Sequence, residues 1–243
     1  MRKTVITLLA LGLFAATTAS AASFWGETFT YADGDLTTVA TGIWFTHSGT
    51  PPTDVKVLAG EAVLTSTNAP DDNRQFSPAR GATDATYACF KLKISGTQTA
   101  SGTYFAHLMN TGTFFGARVF AMLNDATTYK LGISTTSTTP VGTAIWPTML
   151  TKGVYYNVAI KYDAATGIST MWVDPGTEAS PSVVSLVGPT GTLISGFALR
   201  QSAGYGVATI DDVGVGATFE DACYVVPTPT SSSTWGKLKS LYR

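Results

Sequence analysis

Apolar and polar residues alternate along much of this chain with a period of two. In "VYYNVAIKY", Val154, Tyr156, Val158, Ile160 and Tyr162 share one side, and Tyr155, Asn157, Ala159 and Lys161 the other. This is the pattern of a strand with one face in a core and one outside it. "YDAATGIST" follows as a tight hairpin, with Gly167 supplying the left-handed residue. Strand-like runs recur between turn signals: "SFWGETFTY", "GIWFTHS", "VKVLAG", "EAVLTST", "TYACFKLKI", "GTYFAHLMN", "FFGARVFAML", "TYKLGIS", "VYYNVAIKYD", "GISTMWVD", "ISGFALRQS" and "VATIDDVGVG". Twelve short strands in one domain predict two packed antiparallel sheets. The stretch from Ala69 to Ala85, "APDDNRQFSPARGATDA", lacks the pattern and reads as the longest loop.

The two ends depart from the strand pattern. Arg2 and Lys3 precede an uncharged apolar run from Thr4 to Ala16, and Ala19-Ser20-Ala21 forms a small-x-small site. The run is short for a membrane span, so residues 1–21 are expected to be a secretory signal cleaved after Ala21. The protein is then secreted, cell-surface or periplasmic. Residues 22–225 form the expected domain. Residues 226–233, "VPTPTSSS", read as a linker. Residues 234–243 form a basic-aromatic tail with Trp235, Leu238 and Leu241 at intervals of three, which suits docking or self-assembly.

Charge narrows the partners. Removing Arg2 and Lys3 from the 15 basic residues leaves 13 against 16 acidic ones. No basic stripe is present, which argues against nucleic acid. No later segment resembles a transmembrane span. In an oxidising compartment the two cysteines, Cys89 and Cys223, are candidates for a disulfide worth at most about 5 kcal/mol in the chain-entropy model. The alternative is a pair of unrelated buried thiols.

Several segments together resemble secreted bacterial proteins with the concanavalin A-like (laminin G-like) jelly-roll fold. They are "ETFTYADGDL" with "TGIWFTHSG", then "GTYFAHL", "FFGARVF", "YKLGIS", "YYNVAIKYD", "MWVDP", "LRQ" and "IDDVGVG", in order over nearly the whole chain. The resemblance implies an all-β, two-sheet antiparallel jelly-roll sandwich with its first and last strands side by side. It implies no single activity, because the fold carries lectins, glucanases and adhesion modules.

Catalysis leaves no signature here. Glucanases on this scaffold typically place carboxylates as E-x-D-x-x-E on one strand. The four glutamates, Glu27, Glu61, Glu178 and Glu220, form no such motif. No G-x-S-x-G, H-E-x-x-H or phosphate loop occurs. In "ATIDDVGVG" the adjacent Asp211 and Asp212 point to opposite faces if the strand is regular, Asp211 with Thr209, Val213 and Val215, Asp212 with Ile210 and Gly214. They cannot then act as a facing acid/base pair. Two roles remain: a structural Ca²⁺ site completed by Glu27 or Asp35, or an anchor to an arginine or to loop N–H groups.

Sugars bind by stacking on aromatic rings and by hydrogen bonds from planar polar groups. In lectin-like members of the fold, the concave sheet or its rim does this. The candidates are Trp44, His47, His107, Arg118, Trp172 and Arg200. Strict alternation puts His107 with Phe105 and Met109, and Arg118 with Phe114, Phe120 and Met122. The competing role for the arginines is to neutralise acids, and for the aromatics to fill the core. The sequence therefore favours a non-catalytic recognition module for glycans, ahead of a self-assembling envelope protein and a cryptic glycoside-active enzyme.

Overall fold

The computed structural model describes residues 23–49, 54–65 and 70–223. The expected signal, linker and C-terminal tail fall outside these residues, as does everything beyond Cys223. Two antiparallel sheets account for the fold. The larger has nine strands: β1 (Ser23–Glu27), β2 (Gly34–Asp35), β4 (Lys56–Leu58), β5 (Glu61–Leu64), β7 (Ala85–Ser95), β12 (Tyr155–Asp163), β13 (Ile168–Val173), β14 (Val183–Val184) and β16 (Val207–Gly216). Their order is β14-β13-β12-β7-β16-β5-β4-β2. The smaller has seven: β3 (Phe45–Ser48), β6 (Asp71–Gln75), β8 (Thr103–Met109), β9 (Phe115–Leu123), β10 (Thr128–Ser134), β11 (Leu150–Thr151) and β15 (Gly196–Leu199), in the order β11-β10-β9-β8-β15-β6-β3. Two short helices, α1 (Leu36–Val39) and α2 (Phe219–Cys223), complete it. No described helix is long and apolar enough to cross a membrane. This is a two-sheet antiparallel jelly-roll sandwich. β1 lies beside β16, so the first and last strands are neighbours.

Alternation explains which residues face inward. Ala88, Phe90, Leu92 and Ile94 of β7 enter the core, as do Val158, Ile160 and Tyr162 of β12. Facing them from the seven-stranded sheet are Leu108, Val119, Leu131, Phe197 and Leu199. Each fully buried Phe, Leu or Ile contributes roughly 1.5–3 kcal/mol of transfer free energy. Gly167 closes the β12–β13 hairpin with φ 69°, and a side chain there would meet the Gly188 carbonyl oxygen at 2.4 Å. One expectation fails. Asp71–Gln75 is not loop but strand β6, paired with β3 and β15. Its "DDNRQ" sequence carries no hydrophobic signal, because its inward positions are Asp72 and Arg74.

The inward Arg74 is held by a carboxylate of the other sheet. Glu27 of β1 is buried and accepts four hydrogen bonds: Phe29 N–H at 2.9 Å, Tyr31 hydroxyl at 2.8 Å, Trp44 Nε1 at 3.0 Å and Arg74 at 3.0 Å. Arg74 also lies over the Trp25 ring, 4.6 Å from its centroid. Trp44 is therefore a core residue, 1% exposed, and presents no surface to a ligand.

The final strand answers the question of the paired aspartates. Opposite β7 the register of β16 shifts between Asp211 and Gly214, so β16 carries an extra residue there. Asp212 takes the left-handed φ of 48°. The bulge inverts the expected phase: Ile210, Val213 and Val215 all enter the core, and both aspartates are left on the side away from it. Asp212 pairs with Lys91 at 2.5 Å. On the same side, Cys89 and Cys223 form a disulfide with Cα atoms 5.0 Å apart. It pins α2 against β7, where Phe219 meets Trp172 edge-on at 5.7 Å.

Asp72 is fully buried, and one of its oxygens has no partner within the protein. Burial lifts its carboxyl from the ordinary 3.8 to about 7, the Thr46 hydroxyl opposing and Asp54 adding to the lift. The folded protein thus holds a proton there that the unfolded chain releases near pH 4. This group favours folding below that pH and ceases to do so as pH rises through 7. His47 and His107 act in the opposite sense, because burial holds both below 6.5 and unfolding lets them take up protons in acid. Comparing Asp72→Asn with the parent isolates the carboxyl. The variant is expected to melt higher at about pH 8, with the gap closing towards about pH 4. A gap that is independent of pH would refute the assignment.

Candidate functional site

The outer face of the seven-stranded sheet is built by two opposed irregularities. Between Tyr104 and Ala106, β8 carries an extra residue opposite β9. Between Gly116 and Val119 the extra residue is on β9, opposite Ala106 to Leu108, and Ala117 there takes φ 49°. Residues three apart, not two or four, now share a face. Tyr104 and His107 project outward from β8, and Phe115 and Arg118 from β9. Phe105 and Phe114 instead turn to the core side, against Tyr205 and Tyr162 respectively. This corrects the faces that strict alternation assigns.

Buried hydroxyls support the bulge from beneath. The Ala117 N–H donates to Ser169 Oγ at 3.0 Å, and Ser169 belongs to β13 of the other sheet. Ser169 Oγ in turn meets Thr135 Oγ1 at 2.9 Å, and Thr135 meets Ser185 Oγ at 2.6 Å.

On the outer face Tyr104 forms the centre. The Arg200 guanidinium lies 4.3 Å from its ring centroid and that of Arg118 5.1 Å. Arg118 also lies 5.6 Å from the Phe115 ring. His107 packs 4.6 Å from Phe115, 5.5 Å from Tyr104 and 6.1 Å from His47. β6 contributes Asp71, which accepts from the Ser48 hydroxyl at 2.8 Å and the Gln201 N–H at 3.0 Å, and lies 3.8 Å from Arg200. One flank is closed where residues 135–148 return over β10. There Pro140 packs so tightly on Gly132 that a Cβ would lie 2.8 Å from it.

Burial shapes the charges. It holds His107 well below 6.5, with His47, Arg118 and Arg200 pressing the same way. It lowers His47 too, partly offset by Asp71, so both imidazoles are neutral near pH 7. Burial also raises Asp71, against Ser48 and Arg200, and lowers Arg118. Both nitrogens of His47, both of His107, Nε of Arg118 and Oδ1 of Asn73 are buried with no hydrogen-bond partner in the protein. Buried polar atoms are normally paired. The unpaired atoms of His47, His107, Arg118 and Asn73 lie on or just beneath this one face.

Of the six residues proposed from sequence, the fold thus brings together His47, His107, Arg118 and Arg200. Trp44 and Trp172 lie elsewhere. Trp172 is on the other sheet, 2% exposed, covered by Phe219 and donating to the Glu178 carbonyl at 3.1 Å. Tyr104, Phe115 and Asp71 join the site unannounced, the first two through the bulges and the third through the unrecognised strand. The four proposed calcium ligands do not converge. Glu27 serves Arg74 and Trp44, Asp35 pairs with Lys56, and Asp212 with Lys91. Asp211 keeps one unpartnered oxygen. Among the described residues no three acidic, histidine or cysteine side chains are grouped to hold a metal.

A concavity of about 360 Å³ lies on the nine-stranded sheet beside the disulfide, lined by Cys89, Lys91, Asn157, Pro175, Asp212 and Cys223. Its polar groups are already matched: Lys91 to Asp212, and Asn157 to Asp174 at 2.7 Å. It lacks the unpaired donors of the other face.

No family model matches the chain, and no curated protein matches it. Solved structures that it is similar to include a sialidase (13% identity, TM-score 0.49), of which the match spans 81% of this chain but 19% of the sialidase. The carbohydrate recognition domain of Emp47p is similar over 82% of this chain and 98% of that one (13%, TM-score 0.46). An alginate lyase from Alteromonas sp. 272 is similar over 74% and 96% (12%, TM-score 0.46). Such distant likeness assigns no ligand and no activity.

If Ser169 supports the bulge, Ser169→Ala leaves the Ala117 N–H buried without an acceptor. Denaturant unfolding is expected to show a loss of about 1–3 kcal/mol. A loss under about 0.5 kcal/mol, typical of an unimportant surface position, would show that the bulge stands without it.

Proposed function

We propose that this protein is a secreted, non-catalytic recognition module that binds carbohydrate on the outer face of its seven-stranded sheet, at the cell surface or outside the cell. The observation that carries this is the cluster of unpartnered polar atoms set among aromatic rings around Tyr104. Sugar rings present apolar CH faces and several hydroxyls at once, and such a face offers apolar rings with planar donors and acceptors beside them. Neutral imidazoles suit hydroxyls well, since each can donate from one nitrogen and accept at the other. The non-catalytic half is supported by the carboxylates. Glycoside hydrolysis ordinarily needs two carboxyl groups flanking the bond. Among the described residues around Tyr104, Asp71 is the carboxylate in contact with the cluster, and it is engaged by Ser48, Gln201 and Arg200.

A self-assembling role has one observation of its own. Val184, Leu186 and Val187 are exposed at 44%, 74% and 68%, at the β14 edge of the nine-stranded sheet and just past it. Exposed apolar edges invite pairing with another chain.

The test is a glycan array probed with the exported protein, beside light scattering and an assay for released oligosaccharide. Binding by a monomer without turnover is expected. Tyr104→Ala should weaken it at least about tenfold, as truncation of a central aromatic anchor does. Lys91→Ala, on the opposite sheet, should leave it unchanged. Assembly without glycan binding would favour the edge reading, and release of saccharide products would overturn the non-catalytic one.

A further inference from the structure

The described residues include four arginines, and three have a carboxylate. Arg74 pairs with Glu27 at 3.0 Å, Arg80 with Asp84 at 3.2 Å and Arg200 with Asp71 at 3.8 Å. Arg118 is the exception. It has no carboxylate within 4.0 Å and no hydrogen bond within the described protein; its contacts are the Tyr104 and Phe115 rings. Its Nε is buried. A guanidinium taken from water and left unpaired is costly, and the usual remedy is a neighbouring acid. Ring faces compensate only in part. Beneath it lies His107, fully buried, with both nitrogens unpartnered and the second histidine, His47, edge-on to it.

Resting on the carbohydrate reading above, we propose that the ligand is an acidic saccharide and that Arg118 holds its anionic substituent, a carboxylate or a sulfate. The guanidinium is fixed by the two rings at the centre of the face, so little freedom is lost when it binds. Its fork matches a planar or tetrahedral oxyanion. Arg200 adds positive charge on the other contact of Tyr104, but Asp71 offsets it. Arg118 therefore sets the preference for charge, while Tyr104, His47 and the apolar rings hold the sugar.

A panel of oligosaccharides decides this. It would contain oligouronates beside their carboxyl-reduced forms, and sulfated oligosaccharides beside their desulfated forms, titrated calorimetrically into the exported protein at low and high salt. At least one acidic member is expected to bind about tenfold or more tighter than its neutral counterpart, as one charge-assisted contact gives. The pair that shows the preference identifies carboxylate or sulfate as the group held. Arg118→Gln should abolish the preference for the acidic form and its salt dependence. Arg118→Lys, which keeps the charge but not the fork, should restore part of it. Thermal melts of both variants confirm that they are folded. Equal binding of acidic and neutral partners, or a preference that survives Arg118→Gln in a folded protein, would overturn this proposal and leave carbohydrate binding standing. No binding to any member of the panel or of the array would overturn both.

Discussion

The carboxylate of Glu27 is the interaction on which the arrangement of the two sheets rests. It belongs to β1 of the larger sheet, and it takes donors from Arg74 of β6 in the smaller sheet and from Trp44, just ahead of β3. One acid thus fastens the strand pair β3–β6 to the opposite layer. An unpaired charge in that place would cost several kcal/mol, and four donors compensate it. The same two strands carry His47, Asp71 and Asn73 on their outer side. The inner anchor therefore determines where a third of the candidate site stands, and an inward polar residue on β6 serves an outward function.

The two outer faces differ in how their charges are settled. On the nine-stranded sheet, cations meet anions: Lys91 with Asp212, Lys93 with Glu61, Lys161 with Glu178. Such exposed pairs contribute little stability, but they match these lysines to carboxylates. On the seven-stranded sheet the arginines lean on Tyr104, the histidines are buried and neutral, and several nitrogens face no acceptor in the protein.

Much of the fold was legible because period-two alternation is a direct record of one-sided burial. All twelve expected segments contain strands, and the hairpin at Gly167 forms as its sequence dictates. What escaped follows from three physical causes. Strand β6 has charged residues where a core position should be apolar, because its inward Arg74 is neutralised by a glutamate distant in sequence. The bulges in β8, β9 and β16 change the phase of the pleat, and the left-handed residues in the last two are Ala117 and Asp212 rather than a glycine. Faces derived from strict alternation were consequently wrong for Phe105, Phe114, Val213 and Val215. The tryptophans Trp44 and Trp172 are chemically suited to sugars, yet their N–H groups are used within the protein, a matter of tertiary contact that composition does not reveal. The histidines and arginines were recoverable because polar side chains inside aromatic runs stand out against any core.

The most direct measurement is an NMR titration of the isotope-labelled protein with the tightest-binding oligosaccharide from a glycan array, following backbone amides and the arginine Nε–H signals. Carbohydrate held on the seven-stranded sheet predicts shifts confined to β3, β6, β8, β9 and β15, with the Arg118 and Arg200 side chains among the largest. Shifts centred instead on Lys91, Asn157 and Cys223, or on the β14 edge, would contradict the assignment of the site.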